Sequence, residues 1–165
     1  MYKAGSSVVY KNNGVCVVED IRREKFGNLE RQDYYVLKLL YENGSVVYVP
    51  VEKEEAENRM RDPISADEAK KLLESIPSVE PEWVYDDKLR SVRFRDALEA
   101  GDPAELVGIV KSLYKKSGEL SELGRKLRAS DEIVMKKAES NLCGEIAFAL
   151  GITPSEAMKL ITEKI

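Results

Sequence analysis

The sequence predicts an α+β fold in two domains, a small antiparallel β-barrel over residues 1–62 and an all-α domain of about five helices over residues 63–165. Three observations carry this expectation. Residues 7–51 alternate short β-branched or aromatic runs with turn signals, at the spacing of a small antiparallel barrel. Beyond Ser65 the apolar residues recur three and four apart behind Ser/Thr-x-x-Glu start boxes, the period of amphipathic helices. A chain of 165 residues, 43% hydrophobic and 34% charged, can bury a real core.

In the first domain, residues 8–10 form a strand that Asn12-Asn13-Gly14 turns, because Asn and Gly tolerate positive φ, and residues 15–21 return. Charged residues 22–25 lead to a Gly27-Asn28 turn. The longest strand covers 34–41, and Asn43-Gly44 is the strongest hairpin signal, leading into a strand over 46–49 that Pro50 ends. About four strands make a small sheet whose edge is covered, charged or offered to a partner strand, a protected edge being the commoner case.

In the second domain, the boxes at 65–68 and 153–156 and the Asp-Pro-Ala-Glu at 102–105 mark helix starts. Ala69, Leu72, Leu73 and Ile76 share a face that Pro77 closes, so residues 76–82 read as the linker. Pro81 then opens a helix that runs past Trp83 and Leu89 to Leu98 and breaks at Gly101. At helical spacing Trp83 and Arg90 lie two turns apart on one side, with Lys88, Arg93 and Arg95 close by. An exposed aromatic among guanidinium groups suits phosphate, although a core tryptophan flanked by solvated charges is the commoner arrangement. Leu106, Ile109, Val110, Leu113 and Tyr114 form an inward stripe that leaves Lys111, Lys115 and Lys116 outside. After a looser stretch over 118–127, Ser130 caps a long helix with Met135, Ala138, Leu142, Ile146 and Ala149 buried. Gly151 ends it, and Ala157, Leu160 and Ile161 face the same core from the last helix.

Composition narrows the chemistry. A net charge of −4 supplies no global field for nucleic acid, so any such contact rests on a local patch. Histidine is absent, which removes the commonest general base and a usual metal ligand. Cys16 and Cys143 stand far apart among apolar neighbours and read as small buried hydrophobes, with no metal-ligand spacing. Asp86 and Asp87, adjacent in sequence, point to different sides of a helix, the wrong geometry for joint acid–base work. A catalytic role, a metal and a cofactor are therefore not expected. The opening residues lack the apolar core of a signal peptide, and apolar runs fall well short of the roughly 18 residues of a membrane span, so a cytoplasmic location is expected.

Lys3-Ala4-Gly5, Val8-Val9-Tyr10, Asn13-Gly14, Val18-Glu19, the strand Tyr35-Val36-Leu37-Lys38, Val49-Pro50 and Arg61 come in an order that resembles the RNA-polymerase-interacting domain shared by CarD, CdnL and the transcription-repair coupling factors. Asn13 departs from the histidine usual before the glycine, but Asn accepts the same backbone. The order Trp83, Arg90, Leu98, Gly101-Asp102, Glu105-Leu106, Leu113-Tyr114, Leu127, Ser130-Asp131-Glu132, Ala138, Leu142 and Glu145 is similar to the helical C-terminal domain of the CarD branch. The resemblance implies a Tudor-like barrel that pairs a strand with the polymerase β subunit, with Arg22, Arg23, Lys25, Tyr48 and Arg61 as the side chains around that contact. It also implies a tryptophan wedge in the minor groove at the upstream edge of the transcription bubble, a role for which Trp83 is the one candidate, and phosphate contacts from Lys88, Arg90 and Arg93. Lys111, Lys115 and Lys116 rank second. The expected function is a non-enzymatic transcription regulator that binds polymerase and promoter DNA and stabilises the open complex. The alternative is a protein-only adaptor in which the barrel and the helical domain each bind a protein and Trp83 anchors an interface.

Overall fold

The computed structural model describes the backbone of residues 1–52 and 54–165, and the side chains of all of these except Glu55 and Glu57. The chain divides into two units, Met1–Pro63 and Ile64–Ile165.

The first unit is a five-stranded antiparallel sheet of β1 (Ser7–Tyr10), β2 (Val15–Glu24), β3 (Gln32–Leu39), β4 (Val46–Pro50) and β5 (Met60–Arg61), in the order β4-β3-β2-β1-β5. A short helix α1 (Glu54–Arg59) leads into β5. The Asn43-Gly44 hairpin forms as the sequence indicates, with both residues at positive φ. At the first hairpin Lys11 and Gly14 take positive φ, and Asn12 and Asn13 sit in a single 3₁₀ turn between them. Val8, Cys16, Val18, Tyr35, Leu37, Leu39 and Val49 form the core of this unit, closed by Ala56 and Met60. The four strands read from sequence are present, and β5 is an addition. Two residues carry no readable period, and a helix whose one described apolar side chain is Ala56 carries no stripe. In β2 the pairing slips between Val18 and Asp20: Val18 lies opposite Leu37 but Asp20 opposite Val36, so Glu19 is an extra residue.

The second unit holds five helices: α2 (Ala66–Ser75), α3 (Asp87–Ala100), α4 (Pro103–Glu122), α5 (Ala129–Leu150) and α6 (Pro154–Thr162). Ser65 and Thr153 make complete capping boxes, each side chain accepting from the third-residue N–H while Glu68 or Glu156 reaches back. The core joins Leu73, Ile76, Phe94, Leu98, Leu106, Val110, Leu113, Leu142, Ile146 and Ile161, contributed by every helix. Among the described residues no helix is long and apolar enough to cross a membrane.

Four local expectations are corrected here. Residues 76–82 are not a linker: Ile76 is fully buried in the helical core, and the segment from there to Asp86 is a strap laid on the second unit. Helix α3 starts at Asp87, not at Pro81, because the Asp86 side chain accepts from the Leu89 N–H at 2.9 Å and stops the helix there, leaving Trp83 outside any helix or strand. Helix α4 runs on to Glu122 through the stretch read as loose, since Gly118 costs a helix only about 1 kcal/mol. Helix α5 begins at Ala129 behind Arg128 with no side-chain cap, so Ser130 is not its cap.

Candidate functional site

The strap is fixed at three places. At its start the Lys111 ammonium donates to the carbonyls of Ile76, Pro77 and Val79 at 2.8, 3.1 and 2.6 Å. These carbonyls lie in and just past the short turn over Ile76–Ser78 that follows α2, where a cation also favours the helix dipole. Lys111 is half-buried and structural rather than one of the outward lysines that the helical stripe predicts. At the far end Asp86 caps α3. Between them Arg90 donates through Nη1 to the Val84 carbonyl at 2.9 Å.

Arg90 is the centre of the site, and it departs most from expectation. Its side chain is 4% exposed, and it meets Asp131 in two parallel bonds, Nε to Oδ1 at 3.1 Å and Nη2 to Oδ2 at 2.9 Å. Nη2 also reaches Asp87 Oδ1 at 2.7 Å, and Arg128 closes on the other oxygen of Asp87. The bonds to Asp131 hold the guanidinium above its ordinary pKa, and the bond from Arg90, with Arg128 adding, pulls the Asp87 carboxyl below its own. A guanidinium so committed cannot turn to phosphate, so the assignment of Arg90 as a phosphate contact is corrected. It binds the strap to α5.

Trp83 rests on this network. The Arg90 guanidinium lies 4.7 Å from the centre of the indole, Phe94 meets it edge-on at 6.5 Å between centroids, and the Lys116 ammonium stands 5.4 Å away. The ring is half-buried, neither a core residue nor a free wedge. Two residues on, Tyr85 is 80% exposed, with Lys116 5.3 Å from its ring. Trp83, Tyr85, Ser112, Lys115 and Lys116 line a cleft of about 460 Å³. Lys88 and Arg93 are exposed on α3, but Arg93 lines a different groove, of about 650 Å³, with an apolar floor of Val79, Phe94, Ala97 and Ile109 and acidic Glu80, Glu82, Asp96 and Glu105 at its rim. Trp83 thus gathers Arg90 and Lys116 among the expected cations. The sequence reading missed Tyr85 and Asp131; the one signal for Tyr85 was its spacing of two from the tryptophan, which aligns side chains in extended chain but not in a helix.

On the first unit, β3 pairs its Tyr34, Val36 and Lys38 with Pro50, Tyr48 and Val46 of β4. Phe26, Tyr34 and Tyr48 form an edge-to-face cluster with centroids 4.9 to 6.5 Å apart. The cluster covers Tyr34 on the face opposite the core, while Tyr48 stays 38% exposed. Arg22 lies on the same face, opposite Tyr34, with Nε 2.9 Å from Asp20 Oδ2, a bond that draws the Asp20 pKa down. Arg23, opposite Asp33, points to the other face, and Lys25 is exposed beyond the strand. Arg61 sits on β5 at the opposite end of the sheet from β4, its guanidinium donating to the Asp62 carbonyl at 3.1 Å. Arg22 and Tyr48 are therefore on one face, whereas Arg61 stands on a strand that neither of them belongs to or pairs with.

Cys16 and Cys143 are buried thiols whose pKa values burial pushes up to about 11 and about 12. Among the described residues no group of three potential ligands could hold a metal ion. Residues 2–64 match the family model of the CarD-like/TRCF RID domain. No curated protein matches the chain.

Proposed function

We propose, for a chain whose residues 2–64 match the CarD-like/TRCF RID domain, a transcription regulator that docks on the polymerase β subunit and engages promoter DNA beside the bubble, lengthening the life of the open complex. The RID domain makes the chain transcription-related and polymerase-interacting; the subunit, the DNA and the open complex belong to the proposal. The observation that carries it is the match to that domain on a sheet whose last strand, β4, has a sheet neighbour on one side only. Such an edge accepts a partner strand through main-chain hydrogen bonds, and Arg22 and Tyr48 on the adjoining face would orient it. Arg23, Lys25 and Arg61 are weaker members of that set.

The DNA half of the proposal rests on the strap. Trp83 and Tyr85 bring aromatic surface beside Lys115 and Lys116, with Lys88 and Arg93 as outlying phosphate contacts. A few cations on a protein of net charge −4 bind DNA weakly at cellular salt. Tethering to polymerase raises the local concentration to roughly the mM range, where weak contacts suffice.

A second reading, the protein-only adaptor, draws on the apolar groove with its acidic rim, which suits a basic peptide better than DNA. The test is a pull-down of the β subunit by the full chain, followed by open-complex lifetime on a weakly melting promoter with and without it. Capture of β and a lengthened lifetime support the regulator. Capture of β with an unchanged lifetime favours the adaptor, and no capture removes both.

A further inference from the structure

Tyr85 is an exposed aromatic on a rigid mount. Its neighbour Val84 is pinned through its carbonyl by the buried Arg90, and its other neighbour, Asp86, is locked as the cap of α3. A phenol ring 80% exposed between two fixed residues is held out to solvent with little backbone freedom left to lose. Trp83 is the more occupied ring, with the Arg90 guanidinium 4.7 Å from its centre and Phe94 against its edge, while the Lys116 ammonium stands between the two aromatics, 5.4 Å from Trp83 and 5.3 Å from Tyr85. The cleft of about 460 Å³ beside the two rings is lined by Lys115 and Lys116, with Glu82 and Glu119 on its rim. Besides its cation–π contacts to Trp83 and Tyr85, Lys116 makes a partly exposed ion pair with Glu119 at 3.5 Å, the kind that contributes little and exchanges readily for another anion.

We propose that Tyr85 is the base-stacking residue of this chain and that the cleft takes one unpaired nucleotide, its base on the Tyr85 ring and its phosphate on Lys115 and Lys116, with Trp83 as the backing of the site. The proposal rests on the DNA half of the reading above and names its ligand. Stacking on a flat ring requires an open π-face, which a base freed from the stack in a bubble has and a base inside a continuous duplex, covered by its stacked neighbours, does not. Glu82 and Glu119 repel a duplex backbone lying across the cleft, yet they can accept hydrogen bonds from an exocyclic base amine.

The test compares the full chain, Tyr85→Leu and Tyr85→Phe for binding to a bubble-containing duplex and to the fully paired duplex of the same sequence at low salt. The parent prefers the bubble by about five-fold to a hundred-fold, the range of one stacked base. Tyr85→Leu loses that preference at unchanged thermal stability and nearly unchanged duplex affinity, and Tyr85→Phe keeps it. A preference that survives in Tyr85→Leu overturns the assignment while leaving DNA binding intact. A parent that binds both duplexes equally overturns the unpaired-base ligand alone. A parent that binds neither, and leaves open-complex lifetime unchanged, removes the DNA reading as well. Unchanged DNA preference with weakened polymerase binding in Tyr85→Leu assigns the surface to protein and also overturns the proposal.

Discussion

Arg90 and Asp131, 41 positions apart, hold each other in a two-pronged ion pair with both side chains 4% exposed. The pair ties the first turn of α3 to the first turn of α5, and the Trp83 ring rests on the guanidinium. Removing Asp131 takes away the two-pronged bond and leaves the buried guanidinium with the half-exposed Asp87 as its counter-charge. Asp131→Ala therefore costs about 3–5 kcal/mol in thermal or denaturant unfolding, and replacing both residues by apolar side chains of similar volume costs much less.

Lys111 gives a milder and more local outcome. Lys111→Met leaves three strap carbonyls without their donor, a loss of about 1–3 kcal/mol. The single tryptophan reports it directly: acrylamide quenches Trp83 more strongly in the variant while the far-ultraviolet circular dichroism stays that of the parent.

Glu139 makes stability depend on pH. One of its carboxyl oxygens is buried with no hydrogen-bond partner; burial raises its pKa and the Tyr114 hydroxyl bond draws it part of the way back. A carboxyl with a raised folded pKa keeps its proton at a pH where the unfolded chain has released it, so stability falls as pH rises from the ordinary carboxylate range through the folded value. Glu139→Gln removes that fall. Its unfolding free energy exceeds the parent's at pH 7, and the two converge near pH 4. Burial, with the same carboxyl adding, pushes the Tyr114 phenol up to about 12.

Trp83→Ala separates support from contact. The ring is half-buried, so its loss costs less than the roughly 3–5 kcal/mol of a fully buried tryptophan. On the proposed function, open-complex lifetime shortens while capture of the β subunit is unaltered. An unaltered lifetime in a folded variant removes Trp83 from the DNA contact.

On the polymerase side, Arg22→Glu and Tyr48→Ala act on one face and weaken β-subunit binding together, with a double-substitution loss smaller than the sum of the singles. Arg61→Glu, on β5, acts independently of them. Binding measurements on the four variants check this additivity.

Period and punctuation made most of the fold legible in the sequence. The strands came from alternation and from Asn43-Gly44, and α2, α4 and α6 from their caps. What stayed hidden depends on partners distant in the chain. Asp131 and Glu132 look alike in the first turn of α5, and only the arrival of Arg90 decides that one is buried and the other exposed. Lys111 and Lys115 share one helix surface in sequence, and the strap alone makes one a donor to three carbonyls. Pro81 is compatible with a helix start, but Asp86 competes for that role and, with its side-chain bond to Leu89, wins. An arginine on a helix reads as solvated, or as open to phosphate, until a buried carboxylate is placed beside it, which is why the commitment of Arg90 to Asp131 was not legible.

The slip in β2 bears on which changes in chain length this strand survives. Glu19 is the extra residue between Val18 opposite Leu37 and Asp20 opposite Val36. Removing it would restore a regular ladder and leave Asp20, Ile21 and Arg22 opposite the same residues of β3. Removing one residue from 21–24 would instead turn the remaining side chains of the strand's tip over, carrying those of the outer face to the inner one and the reverse. The strand therefore has one residue of slack, at position 19, so that there a deletion is milder than the same deletion a few codons downstream.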